Sequence, residues 1–243
     1  MKVGLHLASL YYLYDNYEEH LDERIAAGLA YGCEHLELSN GPSIMHWRPA
    51  VHIPVTFSVH AEVYRTLDIT PAAIIAHIAS WSQLPEYIVF HPNELLTDDY
   101  AILAASPIPC LLENMDSKKP VGKTVQELLA WYTQYGLRTC LDIAHIESNG
   151  LQLIDFMTLP IAAVHVSRSI DNTHWLLAST GMVILPEAPV YIIEGIVYTW
   201  QDLATEIALL KSACARFSEL RQKYPQHHIV SGIDDLLIEG WRL

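Results

Sequence analysis

The chain has 243 residues and carries 28 acidic against 14 basic side chains, a formal net charge of −14. Such a surface disfavours broad binding to nucleic-acid phosphates, and no apolar run is long enough to span a bilayer. No Gly/Ser-rich linker or charge block divides the sequence, so a single domain spanning residues 1–243 is expected.

The four cysteines are widely spaced and form no CxxC pair, which favours reduced thiols in a cytoplasmic protein. The first ten residues, MKVGLHLASL, hold too short an apolar run for a secretory signal, so no segment is set aside. These two features together predict a cytoplasmic location.

Eight short apolar runs alternate with helical patterns along the chain. The predicted strands are residues 2–8, 35–39, 55–60, 87–91, 110–113, 139–142, 162–166 and 191–194. Helix starts are marked by Thr70 with Pro71, by a Thr124/Glu127 capping box, and by Thr199 with Asp202. This alternation predicts a parallel sheet, either closed into a (β/α)8 barrel or open and doubly wound.

Polar side chains stand at the carboxyl end of six of these strands. They are His60, His91, Glu113, Asp142, His165 and Glu194. In a (β/α)8 barrel these ends converge on one mouth, where catalytic groups of this fold lie. Burying three carboxylates together is costly without cations, so bound metal is expected. Imidazoles and carboxylates suit zinc, manganese or iron, and a carboxylate such as Glu113 can bridge two ions.

The order of these motifs resembles the xylose isomerase-like TIM-barrel superfamily, which includes sugar-phosphate isomerases and epimerases and endonuclease IV (AP endonuclease family 2). LLEN, CLDIAH, AVHVS and IIEG match the four strand-end ligand positions of that superfamily. The resemblance implies a (β/α)8 barrel with Glu113, Asp142, His165 and Glu194 as the shared metal ligands. It also implies that Glu113 and Glu194 are the catalytic acids or bases.

Further motifs are similar to the endonuclease IV branch. SVHAEVY and VFHPNE imply that His60 and His91 hold an additional ion bridged by Glu113, and DIAH adds His145 as a ligand. That branch has an Asp-x-His pattern after strand seven, whereas this chain has Asp-Asn-Thr-His ending at His174, one residue out of register. The resemblance therefore implies two or three divalent ions, with His174 as a candidate ligand.

Four other residues are candidates for contact with substrate, each with a structural alternative. Arg168 could meet an anionic oxygen or pair with a neighbouring acid. Glu37 could act as an acid or base, or make a structural hydrogen bond. Tyr64 and Trp175 could form apolar walls of a sugar-sized pocket or belong to ordinary packing. His6, at the end of the first strand, is expected to support a ligand rather than to be one.

Two segments have expected roles outside the strands. Residues 167–189 join strands seven and eight without a clear amphipathic helix, and a connection this long predicts a lid over the mouth. Residues 225–243 end in LLIEGWRL, which is apolar enough to pack on the barrel or on a second subunit of a homodimer.

Three functions are compatible with this sequence. A metal-dependent isomerase or epimerase acting on a small sugar or sugar-phosphate ranks narrowly first, because the chain is acidic and lacks basic DNA-binding loops. A zinc-dependent phosphoester hydrolase of the endonuclease IV type ranks second, with duplex DNA disfavoured as its substrate. A metal-binding barrel without catalysis ranks third.

Overall fold

A computed structural model describes residues 1–39, 41–50, 52–180, 184–223 and 230–232. The β-strands in these ranges are β1 Lys2–His6, β2 His35–Leu38, β3 Thr56–Ala61, β4 Ile88–Phe90, β5 Cys110–Glu113, β6 Arg138–Asp142, β7 Ile161–Val166, β8 Arg168–Ile170, β9 Thr173–Trp175, β10 Ile184–Pro186, β11 Val190–Ile193 and β12 Val230–Gly232. The α-helices are α1 Leu21–Ala30, α2 Pro71–Ala79, α3 Asp99–Ala104, α4 Val125–Tyr135, α5 Ile143–Ser148, α6 Leu153–Phe156, α7 Leu177–Thr180 and α8 Trp200–Lys223. Short 3-10 helices span Leu7–Leu13, Tyr17–Glu19, Gly41–His46, Arg65–Leu67 and Pro92–Glu94.

Eight parallel strands close into a barrel in the order β1-β11-β7-β6-β5-β4-β3-β2. The predicted (β/α)8 barrel is therefore confirmed, and the open doubly wound alternative is wrong. All eight predicted strands form, with bounds that differ by no more than two residues at either end. His91 and Glu194 lie one residue beyond β4 and β11, where the backbone turns into the loops of the mouth.

The predicted helix starts are confirmed by their capping contacts. The Thr70 side chain caps α2, and Thr124 and Glu127 form the reciprocal capping box of α4. At α8, the backbone N–H of Asp202 donates to Thr199 Oγ1 at 3.1 Å and the Asp202 carboxylate accepts from the Thr199 N–H at 2.9 Å. Each cap satisfies backbone donors that would otherwise lack partners in the first turn.

The barrel interior beneath the mouth is apolar on most strands. Side chains alternate along a strand, so residues two positions before the strand-end polar groups also point inward. These residues form a separate buried cluster that includes Val89, Leu111, Cys140, Ala163 and Ile192. A packed floor of this kind leaves the polar groups facing only the carboxyl ends of the strands.

The connection from β7 to β11 is more ordered than the sequence predicts. It contains a hairpin of β8 and β9, whose turn residues Asp171 and Asn172 both have positive φ angles, 51° and 58°. Asp and Asn tolerate this conformation better than most residues, and it matches the twist of a two-residue hairpin. The short helix α7 and the strand β10 follow, so the irregular connection contains short elements that the sequence did not predict, and its role as a lid stays a prediction.

Three further expectations concern the final residues, the cysteines and the possibility of a membrane-spanning helix. Of residues 225–243, only β12 is described, pairing antiparallel with β10; the predicted packing of the final residues lies outside the described ranges. All four cysteines are free thiols. Among the described helices, none has both the length and the apolar character that a bilayer crossing requires.

Candidate metal centre

Glu113 lies at the centre of the mouth and is contacted by imidazoles through both carboxylate oxygens. Its Oε2 is 3.1 Å from His60 Nε2 and 2.9 Å from His91 Nε2. Its Oε1 is 2.9 Å from His165 Nδ1. Three imidazole nitrogens from three strand ends thus surround one carboxylate, an arrangement that would let Glu113 bridge two cations.

His165 is the fully buried imidazole that connects this group to Glu194. His165 Nδ1 is 3.1 Å from Glu194 Oε2, on the neighbouring strand end. On the other side of the ring, His165 Nε2 is 2.7 Å from Glu37 Oε1. An imidazole whose second nitrogen faces a buried carboxylate is fixed in orientation and tautomer, as is typical of histidine metal ligands.

Glu37 occupies a different place from the one predicted for a substrate contact. Its side chain is fully buried below His165, and its Oε2 accepts a hydrogen bond from Ser58 Oγ at 2.9 Å. This buried position favours the structural alternative that the sequence allowed, and contact of Glu37 with substrate stays a prediction. Glu37 holds the ring of His165.

A second group of ligand atoms lies beside the first. Asp142 Oδ2 is 3.7 Å from both His145 Nδ1 and His174 Nδ1. His174 Nδ1 is also 3.5 Å from Glu194 Oε2, so this group adjoins the one around Glu113. Asp142 caps α5 with its other oxygen, which accepts from the His145 N–H at 2.8 Å and brings both residues to the mouth.

Both groups have the size and the unmet polar atoms of cation sites. One ligand atom from each of His60, Glu113, His165 and Glu194 lies within 4.8 Å of the others, and the same holds for Asp142, His145 and His174. Asp142 Oδ2 and Glu194 Oε2 are buried and accept no hydrogen bond from any residue in the described ranges. Buried carboxylate oxygens without donors are costly, and a divalent cation would satisfy them.

Two imidazoles of the mouth, His91 and His174, have raised pKa values in the metal-free arrangement. Burial opposes charge on His91, but hydrogen bonds to Glu113 and Glu94 outweigh it and raise its pKa to about 10. Burial likewise opposes charge on His174, while Asp142 and Glu194 raise its pKa to about 10. Protons on these rings partly neutralise the carboxylates, so a metal ion would have to displace them.

The carboxylates of the two groups differ in their protonation. Burial raises the pKa of Asp142 to about 7, since its interactions with His145 and His174 do not fully offset the desolvation. Burial also opposes charge on Glu113, but His165 and the other imidazoles hold its pKa well below the usual range. The surroundings of Glu113 therefore favour its ionised form, whereas burial favours the protonated form of Asp142.

The remaining predicted residues lie around the mouth. The half-buried Arg168 side chain pairs with Glu147, with Nε 2.6 Å from Oε1, which is the structural alternative allowed by the sequence. The Tyr64 hydroxyl donates to the Glu62 carboxylate. Trp175 follows His174 and is half-buried. Contact of Arg168, Tyr64 and Trp175 with substrate stays a prediction.

Three supporting residues complete the site. His6, expected to support a ligand, has its Nδ1 3.3 Å from Glu194 Oε1. Sequence reasoning missed Glu94, whose Oε1 is 3.1 Å from His91 Nδ1. It also missed the buried Asn114, whose side chain accepts from the Asp142 N–H at 2.6 Å and donates to the Asp142 carbonyl at 2.9 Å. The acidic residue three positions after His91 in HPNE was the available signal for Glu94.

Comparison with known proteins identifies the fold. No protein-family model matches the sequence, and no protein of curated function matches it. Endonuclease IV from Thermus thermophilus is a similar structure, with 16% identity and a TM-score of 0.59 over 87% of this chain and 98% of that one. SacUVDE has 13% identity and a TM-score of 0.53 over 87% and 98%.

A sugar phosphate isomerase/epimerase structure from Anabaena variabilis ATCC 29413 is also similar, with 12% identity and a TM-score of 0.54 over 85% of this chain and 87% of that one. At these identities the likeness concerns the fold alone. The chain thus has the (β/α)8-barrel fold that its sequence predicts, and it shares this fold with the three structures. Enzymes with different reactions share this fold, so the choice between reactions depends on the site.

Proposed function

We propose that this protein is a divalent-metal-dependent phosphoester hydrolase with a multinuclear centre at the barrel mouth. The observation that carries this proposal is the position of Glu113 between His60, His91 and His165. Both oxygens of Glu113 face imidazole nitrogens at 2.9–3.1 Å, as expected for a bridging ligand. A carboxylate that takes a proton from a substrate carbon needs an oxygen free to approach that carbon.

The site provides ligands for two or three ions, with zinc, manganese and iron all compatible with nitrogen and oxygen donors. His60, His91 and Glu113 would hold one ion, and Glu113, Asp142, His165 and Glu194 would hold another. Asp142, His145 and His174 would hold a third. When bound, such ions activate water and neutralise charge on a phosphoryl group.

Residues behind the ligands fix their orientation. Glu37 holds His165 through Nε2 at 2.7 Å, and Glu94 holds His91 through Nδ1 at 3.1 Å. Asn114 fixes the backbone of Asp142 through two hydrogen bonds. Supporting contacts of this kind keep donor atoms aimed at the cation positions before any ion binds.

The substrate of this hydrolase is proposed to be a small phosphoester. The net charge of −14 disfavours duplex DNA, although endonuclease IV, by name a nuclease, is among the similar folds. A cytoplasmic location and a homodimer stay predictions.

A sugar or sugar-phosphate isomerase or epimerase is the second candidate. One observation favours it: Glu113 and Glu194 both lie at the mouth, 2.9 Å and 3.1 Å from the same nitrogen of His165. Two carboxylates on one cavity are what proton transfer across a substrate carbon requires. A metal-binding barrel without catalysis is the third candidate, and detection of either reaction would exclude it.

The test uses the full chain loaded with zinc or manganese and methyl p-nitrophenyl phosphate, a small diester. We expect hydrolysis that a chelator abolishes and that His91→Ala lowers by about 100-fold, equivalent to about 2.7 kcal/mol. His77→Ala is the matched control, because His77 lies on α2 and its ring has polar contacts with the Trp47 carbonyl and the Trp81 indole rather than with the mouth.

Two other results would decide between the hydrolase proposal and the isomerase candidate. Absence of hydrolysis of this diester, of p-nitrophenyl phosphate and of a duplex with an abasic site, at metal saturation, would contradict the proposal. Exchange of carbon-bound protons of a ketose with solvent, followed by NMR, would instead support the isomerase candidate.

A further inference from the structure

Four aromatic side chains form a line along one side of the mouth. This aromatic rim consists of Trp175, Tyr198, Tyr12 and Tyr11. The ring centroids of Trp175 and Tyr198 are 6.2 Å apart, those of Tyr198 and Tyr12 are 5.2 Å apart, and those of Tyr12 and Tyr11 are 5.3 Å apart. Since Trp175 directly follows His174, the line begins beside the candidate metal centre and leads away from it.

The rim is exposed, in contrast to most aromatic residues of the barrel. Tyr11 and Tyr12 are each 59% exposed and Tyr198 is 49% exposed. Single exposed apolar side chains are ordinary, but contiguous exposed apolar patches mark binding sites. Part of the surface of Tyr12 and of Tyr198 is thus open to a ligand that enters the mouth.

The backbone fixes the rim to the metal centre. The Ile196 N–H donates to the His174 carbonyl at 3.1 Å, and the Val197 N–H donates to the Ser9 carbonyl at 3.0 Å. These bonds join the loops that carry Trp175, Tyr198 and Tyr12. Gly195 permits the close approach, because a Cβ at this position would lie 2.7 Å from the Leu176 backbone nitrogen. A rim held in this way can stack on a ligand with little loss of conformational entropy.

The charge beside the rim excludes phosphate as its ligand. A groove of about 640 Å³ runs along Tyr11 and Tyr12 and is lined by Asp15, Glu18 and Glu19. Carboxylates repel phosphate oxygens. The face of a tyrosine ring, by contrast, can stack on a planar ring whatever substituents that ring carries. The phosphate of a substrate therefore belongs at the metal centre and its uncharged part on the rim.

We propose that the aromatic rim binds a planar, uncharged ring of a small phosphodiester, such as a nucleobase, while the phosphate lies at the metal centre. This proposal rests on the phosphoester hydrolase function and names its substrate class.

The test compares two diesters that share a leaving group. These are the p-nitrophenyl ester of thymidine monophosphate and methyl p-nitrophenyl phosphate, each with the metal-loaded full chain. We expect kcat/KM to be at least about tenfold higher for the thymidine ester, the size of one stacked base. Tyr12→Ala and Tyr198→Ala should each lower this ratio by about tenfold, mainly through KM.

Two control variants separate stacking from structural damage. Tyr12→Phe keeps the ring and should keep the ratio. Tyr132→Ala removes a 42% exposed tyrosine from α4, away from the mouth, and should also keep it. A ratio near one in the wild type, or a ratio that the alanine variants leave unchanged, would overturn the proposal. A p-nitrophenylphosphorylcholine ester that gains as much as the thymidine ester would also overturn it, since the rim would then recognise a cation.

Failure of the hydrolase function is distinguishable from failure of the rim. If neither ester is cleaved, the hydrolase proposal fails, and the rim is judged by equilibrium binding of thymidine monophosphate. Broadening of the thymine proton signals by the wild type, lost in Tyr12→Ala, would then support the rim. Equal broadening by both proteins would contradict it.

Discussion

The barrel contains buried histidines at both ends, a single one at the amino end and a group at the carboxyl end, and their surroundings differ. At the amino end, His35 begins β2 and its ring contacts only hydroxyls within hydrogen-bond distance: Thr56 Oγ1 at 3.0 Å, Ser58 Oγ at 2.9 Å and the Tyr87 hydroxyl at 3.3 Å. Burial lowers the pKa of His35 to about 4, so the ring is neutral. Gly4 makes room for it, since a Cβ there would lie 3.1 Å from the His35 Cβ.

At the carboxyl end, the ring of His165 faces carboxylates instead of hydroxyls. His165 is as deeply buried as His35, yet Glu37, Glu113 and Glu194 lie within 3.1 Å of its nitrogens. Burial again opposes its charge, but the surrounding acids raise the pKa of His165 well above the usual value. Burial alone therefore does not mark a metal site. The ionisable partners of the ring distinguish a ligand from a packed histidine.

The largest expected effect comes from removing the central imidazole of the mouth. His165→Ala should lower hydrolysis by on the order of 1,000-fold, about 4 kcal/mol, because the ligand between Glu113 and Glu194 is lost. The metal-free variant should also be destabilised by about 3–5 kcal/mol, since buried carboxylates lose their partner. Steady-state kinetics and urea denaturation measure the two effects. Full activity in this variant would contradict the proposed centre.

The next largest effect is expected on metal affinity when Glu37, which contacts His165 Nε2, is replaced. Glu37→Gln keeps the shape of the side chain but removes the charge that orients His165. We expect the affinity for metal to fall by about 10- to 100-fold while the number of ions bound at saturation is unchanged. Competition with a chromogenic chelator measures the affinity. An unchanged affinity would mean that the 2.7 Å contact between Glu37 and His165 does not influence metal binding.

The raised pKa values at the mouth predict that two measured quantities change in opposite directions with pH: the melting temperature of the metal-free protein and its affinity for metal. His91 and His174 have pKa values raised to about 10, so their contribution to folding is complete below the unfolded pKa near 6.5 and is lost as pH rises through about 10. The melting temperature of the metal-free protein should therefore fall from pH 7 to pH 10. Metal affinity should rise over the same range, because the ligands must lose protons.

Calorimetry in buffers with different ionisation enthalpies checks the same account. Metal binding at pH 7 should release protons from His91 and His174. Binding that releases no proton would show that these rings are neutral or are not ligands.

The smallest effect on the candidate metal centre is expected from a substitution at the amino end of the barrel. His35→Ala should lower the free energy of unfolding by roughly 1–3 kcal/mol, because Ser58 and Thr56 lose hydrogen-bond partners. Metal content after loading should equal that of the wild type. Loss of metal from this variant, with its fold retained by circular dichroism, would remove the distinction between His35 and the histidines of the mouth.

The sequence predicted the barrel and most of the mouth because both follow from local patterns. Eight apolar runs define the strands, and a polar residue ending a strand must lie at the mouth once the barrel closes. His60, Glu113 and His165 were placed in this way.

Other features depend on contacts between distant segments and have no local signal. The role of Glu37 follows from its depth below His165, and that of Asn114 from a bond to the backbone of β6. Arg24 is fully buried and donates to the carbonyls of Leu7 and Ser39, although arginine is rarely buried. Such pairings arise from the three-dimensional packing of loops.

The hairpin after β7 shows how turn geometry can replace a motif. The Asp-x-His spacing is absent, yet the positive φ angles of Asp171 and Asn172 close a two-residue turn in which Ser169 pairs with His174. His174 thereby lies 3.7 Å from Asp142 Oδ2. A comparison of spacing alone left this ligand open, because it could not account for the turn.

The most direct test of the account is the metal content of the full chain. The protein is saturated with zinc or manganese, freed of excess ion by gel filtration and analysed by inductively coupled plasma mass spectrometry. Two or more equivalents per chain are predicted, because two adjoining groups of ligand atoms each lie within 4.8 Å. One equivalent or none would contradict the multinuclear centre.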